Sequence, residues 1–359
     1  MSRSLPLLSI CIPTYNRANL LDSALHALIP QVNASSGAVE LIVSDNCSTD
    51  NTQQVVERAR ASGPIQYHRN SQNEGVTRNI LRLTNELANG EFAWVLGDDD
   101  LVRPEGVGRV LAVLRSYPEV DYVFVNTSTK RPAERHAFGR LVSGADFPEL
   151  LPAKAKSLTD QYVEKWEDLI DPEVDDVFLG AIMCSVFRLS RWRTYPLELK
   201  VHNELFSSLE NCYPHSIILA HTMIGRKAYY VGYPCTVTFF GGQEWRGYLP
   251  LISTVRLQEL LDLYRLLGVD VQRVEKCRRF LLGYSAGALR KMILDPDTPG
   301  REYFSLREFL WRNRHHPRWV SGMLASILRT WVVYRLPKPV LQVLRAIKRY
   351  TTSHVLRCV

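Results

Sequence analysis

Leu8–Leu28 reads "LSICIPTYNRANLLDSALHAL", and this stretch decides the fold class. Its first part, centred on Leu7–Ile12, is apolar and β-rich and is closed by Pro13, which predicts a buried strand. Its second part, Arg17–Leu28, repeats leucine and alanine at helical spacing, which predicts an amphipathic helix. A strand that passes directly into a helix is the repeating unit of an α/β sheet.

The same alternation continues over about 125 residues. Further strands are predicted at Val39–Val43, Ile65–Arg69, Phe92–Leu96 and Asp121–Asn126, and helices at Asp50–Ala61 (with Ser48 or Thr49 as cap), Thr77–Ala88 and Pro104–Tyr117. This order predicts a mostly parallel sheet with helices on both faces. Ligands of such sheets bind at the carboxyl ends of the strands.

Beyond residue 130 the pattern is less regular. A strand is predicted at Phe178–Arg188, a strand pair at Tyr229–Phe240, and helices at Asn203–Met223, Thr254–Leu267 and Val274–Leu294. A segment that is both apolar and basic follows at Trp319–Arg349. The C-terminal part is therefore predicted to be helical and basic.

Composition sets limits on the class of protein. The 359 residues are 46% hydrophobic, which is enough for a large core. The net charge of +7 is concentrated in residues 301–359, which hold twelve Lys or Arg and two Glu, so an anionic membrane, nucleic acid or substrate is the expected partner.

Seven scattered cysteines argue against a zinc ribbon or a disulfide framework and favour a reducing compartment. No apolar run reaches about 18 residues, and the N-terminus lacks a signal-peptide pattern.

Three adjacent aspartates, Asp98–Asp100, follow the predicted strand at Phe92–Leu96. Adjacent carboxylates repel one another, and a bound Mg²⁺ or Mn²⁺ would offset this repulsion. The same metal would neutralise a diphosphate leaving group. The alternative is a solvated acidic turn before Pro104, and these residues alone leave both open.

Polar residues also follow the other predicted strands. Pro13, Thr14 and Tyr15 offer backbone groups and an aromatic face to a nucleobase, and Asp45 can accept a hydrogen bond from a base or a ribose. Arg78 lies at a predicted helix start, where a guanidinium suits a phosphate. Each is also consistent with an ordinary turn or cap, but their joint position at consecutive strand ends predicts one nucleotide site.

Four motifs together resemble inverting glycosyltransferase family 2, which has the GT-A fold. They are "LSICIPTYNRANLLDSALHAL", "ELIVSDNCSTDNT", "RNSQNEGVTRNI" and "GEFAWVLGDDDLVRPEGV", in order and spacing over about Leu7–Asn126. Within the family the chain looks most similar to abequosyltransferase-type O-antigen glycosyltransferases.

The resemblance implies roles for these residues. It implies a nucleotide-sugar site of Pro13, Thr14, Tyr15, Asp45, Arg78 and Asp98, with Asp99 and Asp100 as metal ligands for Mg²⁺ or Mn²⁺. Asp45 would bind the base, Arg78 would lie by the base or diphosphate, and Asp98 would face the ribose. Gly97 differs from the family pattern, because many members have at this position the first Asp of their acidic, metal-binding motif.

The catalytic base is predicted less directly. An inverting transfer needs a base that deprotonates the acceptor hydroxyl. The family often supplies it from "ED" or "GD" at a helix start, whereas the corresponding region here reads "SLENCYPHSIIL". His215 and Glu210 lie nearest, and a histidine can act near neutral pH, although a helix-capping or core histidine is the alternative. Asp175 and Asp176 are further candidates.

These observations predict an α/β, GT-A (Rossmann-like), mostly parallel sheet flanked by helices, with a helical basic C-terminal extension. Residues 1–250 would be the glycosyltransferase domain, divided into a nucleotide-binding half (1–130) and an acceptor half (131–250), and residues 251–359 a helical region. The loop "FFGGQEWRG" could close over the donor, with Trp245 against the acceptor sugar and Arg246 at the diphosphate. The segment "VLQVLRAIKRY" predicts a basic amphipathic helix that lies on an anionic membrane or packs on the domain.

The expected activity is metal-dependent transfer of a sugar from a nucleoside-diphosphate sugar to a saccharide hydroxyl. The resemblance implies a polyprenyl-diphosphate-linked acceptor, O-antigen or surface polysaccharide assembly, and a peripheral place on the inner face of the cytoplasmic membrane. No nucleic-acid module is recognisable. A sugar-nucleotide pyrophosphorylase is disfavoured because "IPTYNRANLL" lacks glycine. A catalytically decayed, glycan-binding or scaffold protein is the other alternative.

Overall fold

The structure is a computed structural model that describes residues 5–130, 153–196, 204, 206–239 and 244–335. Within these residues nine strands form one sheet. They are β1 (Leu8–Thr14), β2 (Val39–Asp45), β3 (Ile65–Arg69), β4 (Phe92–Val95), β5 (Leu101–Val102), β6 (Tyr122–Lys130), β7 (Gln161–Val163), β8 (Ser185–Arg188) and β9 (Ala228–Phe239).

The strand order is β3-β2-β1-β4-β8-β6-β9-β5, and β7 also pairs with β9. Strands β3, β2, β1 and β4 are parallel, as predicted for the first part of the chain. Strand β8 is antiparallel to both of its neighbours, β4 and β6, whereas β6 and β9 are parallel. The carboxyl ends of β1, β2 and β4 therefore meet at one edge of the sheet, beside the beginning of β8.

Helices follow most of the strands of the first part and make up most of the last part. They are α1 (Ala18–Ala34), α2 (Thr52–Arg60), α3 (Val76–Arg82, continued by a π-helical turn at Leu83–Leu87), α4 (Gly106–Ser116), α5 (Leu189–Trp192), α6 (Leu209–Cys212), α7 (Pro214–Met223), α8 (Leu249–Leu251), α9 (Leu257–Leu266), α10 (Val271–Tyr284), α11 (Ala286–Leu294), α12 (Leu306–Arg312) and α13 (Pro317–Arg335). None of the described helices combines the length and the hydrophobicity that a membrane-spanning segment needs.

The core lies on both faces of the sheet, because side chains alternate along each strand. Leu8, Ile10 and Ile12 of β1 pack with α1, α2 and α4 on one face. Cys11 belongs to the cluster on the other face, which includes residues of α7, α9 and α10. The predicted α/β sheet with helices on both faces is confirmed. Helices α9 and α10 share the core of the sheet, and the division at residue 250 stays a prediction.

Part of the predicted strand at Phe178–Arg188 is wrong, since only Ser185–Arg188 is a strand. Phe178 and Leu179 have φ angles of 56° and 65°, a left-handed conformation that ends an extended chain. The Asp175 carboxylate also accepts from the amides of Val177 and Ala181, so these amides are not available to a neighbouring strand.

Other predicted boundaries differ from the structure. The predicted strand pair at Tyr229–Phe240 is the single strand β9, which follows β6 with a shift of register between Val125 and Thr127. Neither Ser48 nor Thr49 caps α2; the Asp50 carboxylate accepts from the amide of Thr52 at the start of this helix. The segment "VLQVLRAIKRY" lies outside the described residues.

Candidate active site

The aspartates lie where the sequence predicts them, at the edge formed by the carboxyl ends of β1 and β4. The hydroxyl of Thr14 donates to Oδ2 of Asp98 over 2.8 Å. Nη1 of Arg17 lies 2.9 Å from Oδ1 of Asp98 and 3.5 Å from Oδ2 of Asp99. These contacts fix two of the three aspartates against the start of α1. Sequence analysis did not single out Arg17, although it directly follows "PTYN".

Burial changes the acidity of two of the aspartates. It raises the pKa of Asp98 to about 6, while the Arg17 guanidinium opposes this rise. Burial raises the pKa of Asp100 to about 8, and the negative charge of Asp99 adds to the effect. The Gly97 amide donates to Oδ2 of Asp100 over 3.0 Å. A cation bound between these carboxylates would lower the pKa of Asp100 and let it ionise.

Gly97 makes room for the carboxylates to converge. A Cβ atom at this position would lie 2.7 Å from Oδ1 of Asp99 and 2.9 Å from Oδ2 of Asp100. Two converging carboxylates suit Mg²⁺ or Mn²⁺, which bind through one or two carboxylates together with substrate phosphates. Within the described residues, no group of three or more His, Cys, Asp or Glu could hold a metal by itself. The remaining ligands would therefore come from the substrate and from water.

Asp45 is fully buried at the carboxyl end of β2. Its Oδ1 accepts from the amide of Ser48 over 2.8 Å, and its Oδ2 accepts from the Tyr67 hydroxyl over 2.6 Å. Nε of Arg69 lies 3.5 Å from the same Oδ2. Asp45 thus has the predicted position, but both of its oxygens are already engaged, and a base would have to share them.

The other predicted nucleotide-binding residues surround this strand end. Tyr15 is exposed and follows β1, where Pro13 is half-buried and Thr14 is buried; Arg78 is exposed on α3. Cys47 is half-buried, has a φ of 68°, and its Sγ lies 3.6 Å from the Ser71 carbonyl.

A polar groove of about 690 Å³ opens beside Asp45. It is lined by Ser48, Thr49, Asp50, Gln53, Gln54, Glu57, Arg58 and Arg69. Arg69 joins the groove to the strand end, because its Nη2 donates to the Ser48 carbonyl over 2.7 Å.

A second ionic cluster joins Lys154 to the loop before β8. Nζ of Lys154 is 2.6 Å from Oδ1 of Asp175 and 3.1 Å from Oδ1 of Asp176. Burial lowers the pKa of Lys154, but the two carboxylates outweigh burial and raise it overall. The Asp175 side chain is fully buried, whereas that of Asp176 is 56% exposed. Sequence analysis missed Lys154, which lies in the less regular part of the sequence beyond residue 130 and belongs to no motif.

The register of β4 and β8 places this cluster near the aspartates. Trp94 pairs with Val186, so Cys184 lies opposite the end of β4, from which the aspartates follow. Burial raises the pKa of the Cys184 thiol; Lys154 opposes the rise, whereas Asp175 and Asp100 add to it. Both sets of carboxylates therefore lie close enough to Cys184 to act on it.

The two predicted bases occupy different environments. His215 is buried in the first turn of α7, and its Nε2 lies 2.9 Å from the Gly180 carbonyl. Burial lowers the pKa of His215 to about 4, although the hydrogen bond to Gly180 and the charge of Asp175 oppose this. Glu210 is half-buried in α6. Trp245 is 36% exposed in the turn Glu244–Tyr248, and residues 240–243 of its loop lie outside the described residues.

Residues 9–167 match the family model described as glycosyl transferase family 2. This region, somewhat less than half of the chain, is therefore similar to glycosyl transferase family 2. It is 39% identical over 113 residues to abequosyltransferase RfbV of Salmonella typhimurium, a match that covers 31% of this chain and 32% of the relative. It is 33% identical over 100 residues to the poly(ribitol-phosphate) β-N-acetylglucosaminyltransferase TarS of Staphylococcus aureus, covering 27% of this chain and 17% of TarS.

These matches span about a third or less of the length of the curated relatives. The crystal structure of residues 1–349 of S. aureus TarS with UDP-GlcNAc aligns over 90% of this chain and 80% of that chain, with a TM-score of 0.52 and 17% identity. This similarity shows the fold. The predicted GT-A fold and the predicted resemblance to family 2 and to abequosyltransferases are thereby confirmed.

Proposed function

We propose that this protein is a metal-dependent glycosyltransferase that moves one sugar from a nucleoside-diphosphate sugar to a saccharide hydroxyl. The observation that carries the proposal is the convergence of Asp98–Asp100 with Thr14 and Arg17 at the carboxyl edge of a family 2 sheet. Ligands of α/β sheets bind at this edge.

In this proposal the donor nucleotide lies along the ends of β1 and β2. Pro13, Thr14 and Tyr15 line the base, and Asp45 binds it. Arg78 lies by the base or the diphosphate, and Asp98 faces the ribose. The exposure of Tyr15 and Arg78 at this edge supports these roles, as does the polar groove beside Asp45.

Asp99 and Asp100 would hold a divalent cation, Mg²⁺ or Mn²⁺. Once bound, such a cation neutralises charge on the diphosphate leaving group. Arg17 contributes a second positive charge at the same place, since its guanidinium already contacts Asp98 and Asp99. Thr14 holds Asp98 in position through its hydroxyl.

The test is substitution of Asp99 by alanine, with release of nucleoside diphosphate from UDP-, dTDP-, GDP- and CDP-sugars as the readout. We expect turnover to fall at least ~100-fold with little change in thermal stability, because Asp99 is partly exposed and lies beyond a strand end. Asp22→Ala is the matched control, since this aspartate is an exposed residue of α1. Wild-type turnover of Asp99→Ala in EDTA would contradict the metal role.

The base for the acceptor hydroxyl stays a prediction, with His215 and Glu210 as candidates and Asp176 as a third. Exposure supports Asp176, because a general base must reach the acceptor. Burial and a lowered pKa make His215 a weak base at neutral pH. Three separate variants, Asp176→Asn, Glu210→Gln and His215→Gln, discriminate between these candidates. The variant that lacks the base should lose transfer, keep donor binding, and lose one ionisation from its pH–rate profile.

We further propose a lipid-linked acceptor in O-antigen or other surface polysaccharide assembly, at the inner face of the cytoplasmic membrane. The similarity to an abequosyltransferase and the basic C-terminal segment support this. Transfer to saccharides on a polyprenyl diphosphate but not to free saccharides would support it. A protein that binds donors and glycans but neither hydrolyses nor transfers would be a glycan-binding protein instead.

A further inference from the structure

A second groove, of about 450 Å³, opens between α10 and α13. Arg279, Phe280, Gly283, Tyr284 and Trp319 line it, and its three aromatic rings are exposed, by 39% for Phe280, 48% for Tyr284 and 47% for Trp319. Exposed apolar patches and surfaces lined by aromatic side chains with a few polar groups are typical of binding sites. The size suits a small ligand and not a folded partner.

The groove lies beside the candidate active site. The Tyr284 hydroxyl is 3.4 Å from the Asp176 carbonyl, and the Phe280 ring contacts the Phe178 ring at a centroid distance of 6.4 Å. The Asp176 carboxylate in turn pairs with Lys154, in the cluster next to the end of β4. A ligand in the groove therefore extends toward the residues that follow the sheet edge.

Gly283 keeps the groove open. A Cβ atom on Gly283 would meet only a ring carbon of Trp319, at 3.9 Å, and Phe280 and Tyr284 lie at a T-shaped angle one helical turn apart. A larger side chain at position 283 would occupy the space between the rings without a clash with the backbone.

Charge indicates what the groove binds. Neighbouring cations of α10 have partners, since Arg273 pairs with Asp168 and Lys276 with Asp171. Among the described residues, Arg279 has no carboxylate partner. An unpaired guanidinium beside aromatic faces suits a ligand with an anionic group and an apolar face. Sugar rings present such a face through their C–H bonds, and a phosphate supplies the anion.

We propose that this groove is the acceptor subsite and that it binds a saccharide that carries a phosphate. The proposal rests on the proposed function, since it assigns the second substrate of the same reaction. The sugar ring stacks on Tyr284 and Trp319, and Arg279 binds the phosphate. The free hydroxyls of the sugar then point toward Asp176 and the sheet edge.

The test uses the full chain labelled with 5-fluorotryptophan and ¹⁹F NMR, with Trp319 assigned by Trp319→Phe. The probes are glucose 1-phosphate and N-acetylglucosamine 1-phosphate, the two free sugars, inorganic phosphate, and phosphatidylglycerol vesicles. We expect the Trp319 resonance to shift with the sugar phosphates, with affinity at least about tenfold above that for the free sugars. Arg279→Gln should remove this preference.

Gly283→Leu is the decisive variant, because leucine fills the groove and favours the helix. It should weaken sugar-phosphate binding at least about tenfold. Gly108→Leu is its matched control, since Gly108 is an exposed glycine of α4 with no atom within 4 Å of an added Cβ. The control should bind like the wild type, and both variants should keep thermal stability.

Three results would overturn the proposal: no shift with either sugar phosphate, a shift with vesicles alone, or wild-type binding by Gly283→Leu. Donor binding is measured separately, as thermal stabilisation by UDP-, dTDP-, GDP- and CDP-sugars. A protein that binds sugar phosphates in the groove but none of these donors would contradict the proposed function and leave the groove a sugar-phosphate site. Donor binding without any Trp319 response would contradict only the groove.

Discussion

At the scale of single residues, Gly97 shows how a small substitution can test the metal site. A methyl group at this position would approach the carboxylate oxygens of Asp99 and Asp100 to within 3 Å, so both side chains must move. We expect Gly97→Ala to lower turnover at least ~10-fold, because a displaced ligand misplaces the reacting groups. Unfolding should change by less than about 1 kcal/mol, since the displaced atoms end flexible side chains.

Nucleoside-diphosphate release and thermal unfolding measure the two effects of Gly97→Ala. Gly108→Ala provides the control for a new methyl group on an ordinary helical glycine. Equal turnover of Gly97→Ala and the wild type would show that the aspartates can rearrange freely, and would count against a fixed pair of metal ligands.

His215 predicts a pH dependence of stability. Its pKa is about 4 in the folded protein and about 6.5 in the unfolded chain, which therefore binds a proton first as the pH falls. The contribution of neutral His215 is fully present above pH ~6.5 and is lost between pH ~6.5 and ~4, to a total of roughly 3 kcal/mol. Urea unfolding at several pH values should show a shallower pH dependence for His215→Gln. Parallel curves for both proteins would contradict a buried neutral histidine.

Sequence reasoning found the residues that stand in short motifs and missed their partners. Asp98–Asp100 could be recognised in the sequence because adjacent carboxylates repel one another, and a bound cation would offset this repulsion. Arg17 is 81 positions away from Asp98 along the chain, and only the fold brings the two together. Lys154 has no local signal, since its role depends on two aspartates in a distant loop.

At the scale of elements, the pair Lys154 and Asp175 joins the chain after β6 to the loop before β8. The Asp175 carboxylate is fully buried, so Lys154→Met would leave a buried charge without its partner. We expect a loss of about 3 kcal/mol in the free energy of unfolding. Adding Asp175→Asn to Lys154→Met should recover much of this loss, because a neutral amide needs no counter-ion. A double-mutant cycle by urea unfolding measures the coupling. If the two substitutions had additive effects on the free energy of unfolding, this would contradict a direct pair between Lys154 and Asp175.

Element prediction succeeded where one period dominated. The strands at Val39–Val43 and Phe92–Leu96 were recognised because their apolar runs end at polar residues or glycine. Phe178–Cys184 was predicted as part of a strand because its composition is apolar, but most of its residues are buried in a loop whose amides bind Asp175. Composition reports burial, whereas the left-handed angles at Phe178 and Leu179 depend on tertiary contacts.

At the scale of the whole molecule, the C-terminal segment combines packing and charge. Met323 and Ile327 of α13 pack against Leu282, Leu289 and Phe309, and His316 contacts Glu275 at 2.5 Å. The beginning of the predicted basic tail is therefore part of the helical core. Sequence periodicity predicted helices here, but it could not separate a helix that packs on the domain from one that lies on a membrane.

Two shortened chains separate these roles. A chain ending at Arg335 keeps Met323 and Ile327 and should fold, whereas one ending at His316 loses both and should unfold at a lower temperature. Residues 336–359 contain five Lys or Arg and no Asp or Glu, and each can contribute about 1 kcal/mol near an anionic leaflet. The full chain should therefore co-sediment with phosphatidylglycerol vesicles at low salt, and the chain ending at Arg335 should do so poorly. Equal co-sedimentation of the full chain and the shortened chain would show that residues 336–359 do not provide the membrane contact.

Cys47 gives the protein a natural attachment point for a dye. Burial raises the pKa of the thiols of Cys11, Cys184, Cys212, Cys235 and Cys277, so they stay protonated and slow to react. A chain that ends at Arg335 lacks Cys358, which leaves half-buried Cys47 as the thiol that a maleimide should modify first. Because Cys47 lies two residues beyond Asp45, the emission of such a dye would follow the arrival of a nucleotide in real time, before any acceptor is known.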